Sequence, residues 1–143
     1  MDETFTSRSP WDPSAVVWSG PAAGATLVAR EVAAAAIAFP AWASFPERAA
    51  ALRRFAVVLG ERRDDVVALL IREAGKCRND AENEADLLPR KVAITLDQAL
   101  PRTPGVSAVD GARSEPQIAW RPRGVAAVLG PFNFPLHLLH GLV

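Results

Sequence analysis

One stretch of the chain, Gly124 to Gly141, contains no Asp, Glu, Lys or Arg. It opens with the apolar, valine-rich run Val125–Leu129 between glycines, which is typical of a strand buried on both faces of a parallel sheet. Gly130 and Pro131 end that strand, and Pro135 suits the first turn of a helix. The pattern therefore predicts a strand, a tight loop and a helix. Three leucines would share the apolar face of this helix: Leu136, Leu139 and Leu142.

Upstream, apolar residues recur at three- and four-residue steps, which predicts helices. The expected ranges are Ala25–Phe39, Pro46–Leu59, Arg63–Ala74 and Asp80–Leu100. In the first helix, the residues predicted to face inward are Val28, Val32, Ala35, Ala36 and Phe39. In the second they are Leu52, Phe55 and Leu59, and in the third Val66, Leu69 and Leu70. In the fourth they are Ala81, Ala85, Leu88, Val92, Leu96 and Ala99.

Several residues mark the boundaries of these helices. Ser44 and Glu47 have the spacing of a capping box at the start of the second helix. Gly60 is expected to interrupt that helix, and Gly75 suits the position just after the end of the third. Pro89 lies inside the fourth pattern, where it removes one backbone hydrogen bond and predicts a kink or a break.

The remaining segments are shorter. Residues Met1 to Trp11 are polar and are expected to be loosely held. Ser14–Trp18 is a short β-type run. Pro101–Ser114 is predicted to be a loop, and Gln117–Arg121 alternates polar and apolar residues as an exposed strand does. The predicted order is helices first and then strands, in a chain that is rich in helix and has few strands. The buried strand is of the kind found in the parallel sheets of α/β proteins.

Composition narrows the classes of function. The chain has 143 residues, 50% of them hydrophobic, and 16 basic residues balance 16 acidic ones. This length suggests one domain, and no basic surface for nucleic acid is predicted. The single cysteine excludes an internal disulfide and indicates a reducing, cytoplasmic setting. The acidic N-terminus lacks a signal-peptide pattern, and the uncharged C-terminal stretch lacks a long apolar core, so no membrane span is predicted.

Asn133 is the main candidate for chemistry. It would lie at the carboxyl end of the predicted strand, where open α/β sheets bind their ligands. A neutral amide between Phe132 and Phe134 could donate a hydrogen bond to an oxygen that gains negative charge in a transition state. The alternative is that Asn133 only satisfies the backbone of its turn, as loop asparagines often do.

The run from Gly130 to Leu136, placed after Gly124 and Val125, resembles the signature of the NAD(P)-dependent aldehyde dehydrogenase superfamily. Residues Arg72–Lys76 resemble the Glu-x-Gly-Lys turn of that superfamily, and Ala36–Ala43 resembles the region after its first helix. Gly130–Pro135 with His137, Leu138 and Gly141 resembles the succinylglutamate-semialdehyde dehydrogenase branch. Leu136, Leu139 and His140 depart from the pattern of that branch.

The resemblance implies the N-terminal part of a Rossmann-type cofactor domain, incomplete over residues 1–143, with an oligomerisation strand at about 115–122. It implies that Asn133 donates its amide to the substrate oxyanion. It also implies that the backbone of Leu129, Gly130, Pro131 and Phe132 lines the cofactor cleft. The cofactor would be NAD or NADP, with NAD favoured, and the full-length protein would be a homo-oligomer acting on an aldehyde.

Aldehyde oxidation of this kind needs a thiolate nucleophile, an oxyanion donor and a carboxylate that activates water. The family supplies the thiolate and the carboxylate from residues beyond Asn133. Cys77 follows a helix end without a His–Cys context, so it is interpreted as an incidental thiol. His137 and His140 make half a metal site, and no metal is predicted. The acidic stretch of Glu82, Glu84 and Asp86 is interpreted as a solvated helix face.

Two hypotheses follow. In the first, the chain is part of an oxidoreductase that converts an aldehyde to a carboxylic acid through a cysteine thioester, with the nucleophile beyond this chain. In the second, it is a non-catalytic truncated remnant or an interaction module. An open reading frame with a later cysteine would favour the first, and a stop codon after Val143 would favour the second.

Overall fold

The computed structural model describes residues 3–43, 45–102 and 123–142. Its strands and helices are, in chain order, β1 (Thr4–Arg8), β2 (Val16–Pro21), α1 (Ala25–Ala38), α2 (Phe45–Glu61), α3 (Arg63–Ala74), α4 (Arg78–Ala93) and α5 (His137–His140). A 3-10 turn, Phe39–Ala43, links α1 to α2. After α4 the chain continues as a π-helical segment, Ile94–Ala99, and a short 3-10 turn, Leu100–Arg102. The predicted helix-rich chain with few strands is confirmed.

The two strands form an antiparallel ribbon in which Thr4 pairs with Pro21 and Ser7 with Trp18. The predicted β-type run after Pro13 is confirmed, although the strand covers Val16–Pro21. The expectation that residues Met1 to Trp11 are loosely held is wrong for Thr4–Arg8, which pairs with β2. Residues 9–15 connect the two short β-prone segments, which pair as a ribbon.

α1 has nearly the predicted extent, but its predicted inward face is not covered. Val28 and Val32 are each 50% exposed, and no residue of α1 is buried. Among the described residues, α1 packs mainly against the following 3-10 turn. An apolar stripe shows which face of a helix favours burial, but it does not supply the surface that covers that face.

α2 continues to Glu61, so the predicted interruption at Gly60 is wrong. One helical glycine costs only about 1 kcal/mol relative to alanine, which packing elsewhere along the helix offsets. Leu52 and Leu59 are half-buried, whereas Phe55 is 43% exposed. The predicted capping box depends on Ser44, which lies outside the described residues.

The core lies between α3 and α4. It is built by Val67 and Leu70 from α3 and by Ala81 and Ala85 from α4, and the buried face continues through Leu88, Val92 and Leu96. The bounds of α3 are as predicted, but Val66 is half-buried and Leu69 is exposed. Of the residues predicted to face inward within Asp80–Leu100, only Ala99 is exposed.

Of the kink or break predicted at Pro89, the break is wrong, because α4 runs through Pro89 to Ala93. Pro89 removes one hydrogen bond, at a cost of about 3 kcal/mol. The buried residues on either side, Leu88 and Val92, hold the helix against that loss. The π-helical segment Ile94–Ala99 follows α4 directly.

The predicted strand Val125–Leu129 is also wrong. These residues form neither strand nor helix, and Val125 is 42% and Leu129 88% exposed. A strand of a parallel sheet needs hydrogen-bonded neighbours on its edges. In the described part of the chain the only sheet is the β1–β2 ribbon. The alternating segment Gln117–Arg121 lies outside the described residues.

Within the described ranges, no single helix has both the length and the apolar character needed to cross a membrane. One pair, Ala25–Ala41 with Pro46–Glu61, reaches those values only when joined across a 120° bend.

Candidate functional site

Asn133 lies in a loop of residues 130–136 that precedes α5, here called the Asn133 loop. The side chain of Asn133 is exposed, and its side-chain amide makes no hydrogen bond to the other described residues. Phe132 is 90% exposed, whereas Phe134 is 39% exposed. The amide is therefore free to bind a group from outside this part of the chain.

The carboxylate of Glu84 holds the end of the Asn133 loop. Its Oε1 atom accepts hydrogen bonds from the backbone N–H groups of Leu136, at 3.0 Å, and His137, at 2.9 Å. These two N–H groups belong to the start of α5, where a helix has no partners of its own for them. A buried carboxylate at this position satisfies both donors.

Lys76 completes the arrangement from the other side of the carboxylate. Its Nζ atom lies 2.5 Å from Oε2 of Glu84, and the two side chains are 10% and 0% exposed. The same Nζ atom lies 4.0 Å from the centroid of the Phe134 ring. An ammonium group over an aromatic face is attracted by the negative face of the ring. Lys76 thus contacts both the Asn133 loop and the carboxylate that holds it.

Local sequence places these two side chains. Gly75 ends α3 with a φ of 68°, a left-handed conformation that glycine adopts without strain. The chain then turns at Lys76 and Cys77 and enters α4 at Arg78. Glu84 lies in α4 on the buried face that also carries Ala81, Ala85 and Leu88.

Burial raises the pKa of Glu84, since it disfavours the charged form. The hydrogen bond from Lys76, the backbone N–H groups of His137 and Leu136 and the charge of Lys76 outweigh burial and hold that pKa below its ordinary value. The carboxylate is consequently ionised at neutral pH, as an acceptor of three hydrogen bonds must be.

The interpretation of the acidic stretch as a solvated face is wrong for Glu84. It applies better to its neighbours, because Glu82 lies 3.7 Å from Arg78 and Asp86 lies 2.6 Å from Arg63 in half-exposed ion pairs. The helical spacing of the sequence indicates that Glu84 is buried. Glu84 is three residues after Ala81 and four before Leu88, so it shares their helical face.

The predicted cofactor-lining residues lie immediately before Asn133. Leu129 is 88% exposed, and Gly130 and Pro131 are also exposed, so this backbone is accessible. A Cβ atom on Gly130 would lie 2.8 Å from the carbonyl oxygen of Pro135. The close return of the chain at that point requires glycine.

Behind the Asn133 loop is an apolar groove of about 430 Å³ between α3 and the loop. Its walls include Leu69 and Glu73 from α3, Pro10 from the N-terminal segment and Phe132 from the loop. Sequence reasoning did not predict this groove, since its walls come from three distant segments.

The other candidates are dispersed. Cys77 is exposed at the start of α4. The His140 ring lies 5.4 Å from that of Phe55, and the His137 ring lies 6.4 Å from that of Phe134. The Nδ1 atom of His137 is buried without a hydrogen-bond partner among the described residues. No three His, Cys, Asp or Glu side chains of the described ranges gather as metal ligands.

Comparison with known proteins identifies the family of this chain. The sequence profile of the aldehyde dehydrogenase family matches residues 1–142. An N-succinylglutamate 5-semialdehyde dehydrogenase of Burkholderia vietnamiensis is 40% identical over 139 residues, which are 96% of this chain and 28% of that enzyme. The enzyme of the same name from Burkholderia cenocepacia strain HI2424 is 39% identical over an equal length.

Among solved structures, an NAD-dependent benzaldehyde dehydrogenase from Corynebacterium glutamicum superposes with a TM-score of 0.60 at 32% identity. The superposition covers 64% of this chain and 20% of that one. This likeness confirms the predicted fold class, the N-terminal part of a Rossmann-type aldehyde dehydrogenase domain. The chain spans 28% of the length of the curated relatives that it matches. Because the family profile covers nearly all of its residues, the chain belongs to the aldehyde dehydrogenase family.

Proposed function

We propose that this chain is the N-terminal part of an NAD-dependent aldehyde dehydrogenase in which Asn133 stabilises the oxyanion of the reacting aldehyde. The observation that carries this proposal is the state of the Asn133 amide. It is exposed and without a partner among the described residues, in a loop that buried contacts hold from the other side.

In the proposed reaction, a cysteine thiolate from the remainder of the enzyme adds to the aldehyde carbon. The carbonyl π electrons move onto oxygen, and the Asn133 amide donates a hydrogen bond to that oxyanion. Bound NAD would accept the hydride that leaves when the oxyanion collapses to a thioester. A carboxylate-activated water then releases the carboxylic acid and returns the thiolate.

The residues of this chain have two roles in the proposal. Asn133 orients the aldehyde and stabilises charge as it develops. Leu129, Gly130, Pro131 and Phe132 present exposed backbone to the cofactor, which excludes bulk water from the reacting carbon once it is bound. NAD is favoured over NADP because the structural neighbour is described as NAD-dependent.

The proposed substrate is an acidic semialdehyde of the N-succinylglutamate 5-semialdehyde type. Support comes from relatives of that name at 40% identity, against 32% for the benzaldehyde dehydrogenase. By the family resemblance, we expect the whole protein to be a homo-oligomer whose oligomerisation strand includes Gln117–Arg121. The single cysteine favours a cytoplasmic setting.

The protein encoded by the complete reading frame tests this proposal. We expect it to reduce NAD in the presence of N-succinylglutamate 5-semialdehyde. Its kcat/KM should be higher for this aldehyde than for benzaldehyde, and higher with NAD than with NADP. A stop codon directly after Val143, or no nicotinamide reduction with either aldehyde, would contradict the proposal and favour a non-catalytic remnant.

The role of Asn133 is tested by Asn133→Ala in that protein. If the amide binds charge that develops only in the transition state, acylation should slow by about 10²–10³-fold. Cofactor affinity should change little, because the proposed cofactor contacts come from the backbone. Near-normal acylation would indicate that Asn133 only satisfies the backbone of its turn.

A further inference from the structure

Three contacts fix the carboxyl-terminal side of the Asn133 loop, and all three involve one buried ion pair. Glu84 accepts the N–H groups of Leu136 and His137, and Lys76 covers the ring of Phe134. Resting on the proposed role of Asn133, we propose that Glu84 and Lys76 are positioning residues for the oxyanion, acting through the loop and touching neither substrate nor cofactor.

The residues before Asn133 are less covered than Leu136, which packs against the core between α3 and α4. Leu129 and Phe132, on the other side of Asn133, are 88% and 90% exposed. α5 has four residues, too few to be a stable helix without tertiary contacts. The hydrogen bonds to Glu84 therefore act together with the packing of Leu136 and the contact between His140 and Phe55 to orient the loop and α5.

An ion pair suits this task better than an apolar contact. Two charges removed from water gain little net stability over apolar residues of similar size, but their hydrogen bonds impose one geometry. The Glu84 side chain is fully buried, and its two oxygens have three donors in defined directions. A sideways shift of the loop would break at least one of these hydrogen bonds.

The position of Asn133 makes it sensitive to such a shift. It is adjacent to Phe134, which Lys76 contacts, and three residues from Leu136, which Glu84 contacts. Any displacement of these two residues is transmitted through the short backbone to the amide. Misplacement of a catalytic group by about 1 Å can reduce a rate by about 10²-fold.

Glu84→Gln is the most informative change. The glutamine carboxamide has nearly the same shape, and its oxygen can still accept from the backbone. Its NH₂ group would face the ammonium group of Lys76, so two hydrogen-bond donors would oppose each other in place of the ion pair. Lys76→Met is the complementary variant, because it retains the apolar stem and removes the charge. Glu82→Gln is the matched control on the same helix, since Glu82 is partly exposed and forms its ion pair with Arg78, at 3.7 Å, rather than with Lys76 or the Asn133 loop.

The test uses single-turnover acylation by the protein from the complete reading frame. We expect Glu84→Gln and Lys76→Met to slow acylation by about 10- to 100-fold, while Glu82→Gln leaves it unchanged. In the Asn133→Ala background, Glu84→Gln should cause no further slowing, because the amide that it positions is already gone. A purely structural role would instead give additive losses.

Amide hydrogen exchange provides a second readout. Exchange in the peptide that contains Leu136 and His137 should accelerate in Glu84→Gln and remain as in wild type in Glu82→Gln. If Glu84→Gln does not fold, Lys76→Met takes its place in both the single-variant and the double-variant measurements.

The outcomes separate this inference from the proposed function. Slow acylation by Asn133→Ala together with normal or additive effects of Glu84→Gln and Lys76→Met would overturn the positioning role alone. Normal acylation by Asn133→Ala would overturn the oxyanion role of Asn133, and the positioning role with it.

Discussion

Gly75 lies directly against Pro10, so closely that a Cβ atom on Gly75 would meet the Pro10 Cγ atom at 2.6 Å. This contact joins the turn between α3 and α4 to the segment after β1. A hydrogen bond of 2.8 Å from Ser7 to Glu73 supports the same junction. The N-terminal ribbon is therefore packed against the turn that presents Lys76.

Gly75→Ala should destabilise the protein for two reasons. The residue has a φ of 68°, which costs an L side chain about 1–2 kcal/mol, and the added methyl group would overlap Pro10. Gly60→Ala is the matched control, since a Cβ atom there would meet nothing within 4 Å. That change should stabilise α2 by up to about 1 kcal/mol. Denaturant unfolding of both variants measures the difference, and equal effects would contradict this account of Gly75.

Acidification through the ordinary range of histidine should destabilise the protein through His140. Burial lowers the pKa of His140, and the nearby charges of His137 and Lys91 lower it further, against a hydrogen bond to the Leu88 backbone. The folded state therefore binds the proton less tightly than the unfolded state. The contribution of His140 is complete above the unfolded pKa of about 6.5 and is lost as pH falls below that value.

His140→Phe tests this pH dependence. It keeps an aromatic ring against Phe55, which lies 5.4 Å away between centroids, and it removes the titrating group. The free energy of unfolding measured between pH 7.5 and about pH 5 should fall less steeply in the variant. An unchanged slope would assign the pH dependence to other groups.

The 143-residue chain alone should have no aldehyde dehydrogenase turnover. Its single thiol, Cys77, is exposed at the start of α4, and the Asn133 loop docks on Lys76 and Glu84. The family resemblance assigns the nucleophile and the catalytic carboxylate to residues beyond this chain. NAD-dependent oxidation by the rigorously purified chain, abolished by Cys77→Ser, would show that Cys77 is the nucleophile.

The chain alone should also bind hydrophobic dyes and self-associate. Ile37 is 81%, Leu129 88% and Phe132 90% exposed, which is unusual for large apolar residues on a stable monomer surface. Ile37→Gln and Leu129→Gln should each reduce dye binding and association, measured by fluorescence and by light scattering. A monomer with a cooperative melt and no dye binding would contradict this expectation.

The sequence alone determined features whose causes lie within one or two helical turns. It predicted both bounds of α3, the extent of α1, the left-handed glycine after α3 and the buried face of α4 from Ala81 to Leu96. These follow from periodicity and from the backbone preference of glycine. It also located Asn133 in a loop immediately before a helix.

Only the tertiary structure decided which surfaces are covered and what holds the site. The run Val125–Leu129 has the composition of a buried strand, but in the described part of the chain no other strand pairs with it. α1 has an apolar stripe, yet its valines remain half exposed. Strand pairing and burial both require a partner surface, and local sequence does not encode whether that partner is present.

The support of the Asn133 loop shows the same limit. Glu84 and the backbone that it binds are separated by 52 and 53 residues, so no local pattern connects them. Periodicity places Glu84 on the inward face of α4, but a buried carboxylate is stable only when donors reach it. Those donors, Lys76 and the start of α5, arrive at Glu84 only when the chain folds.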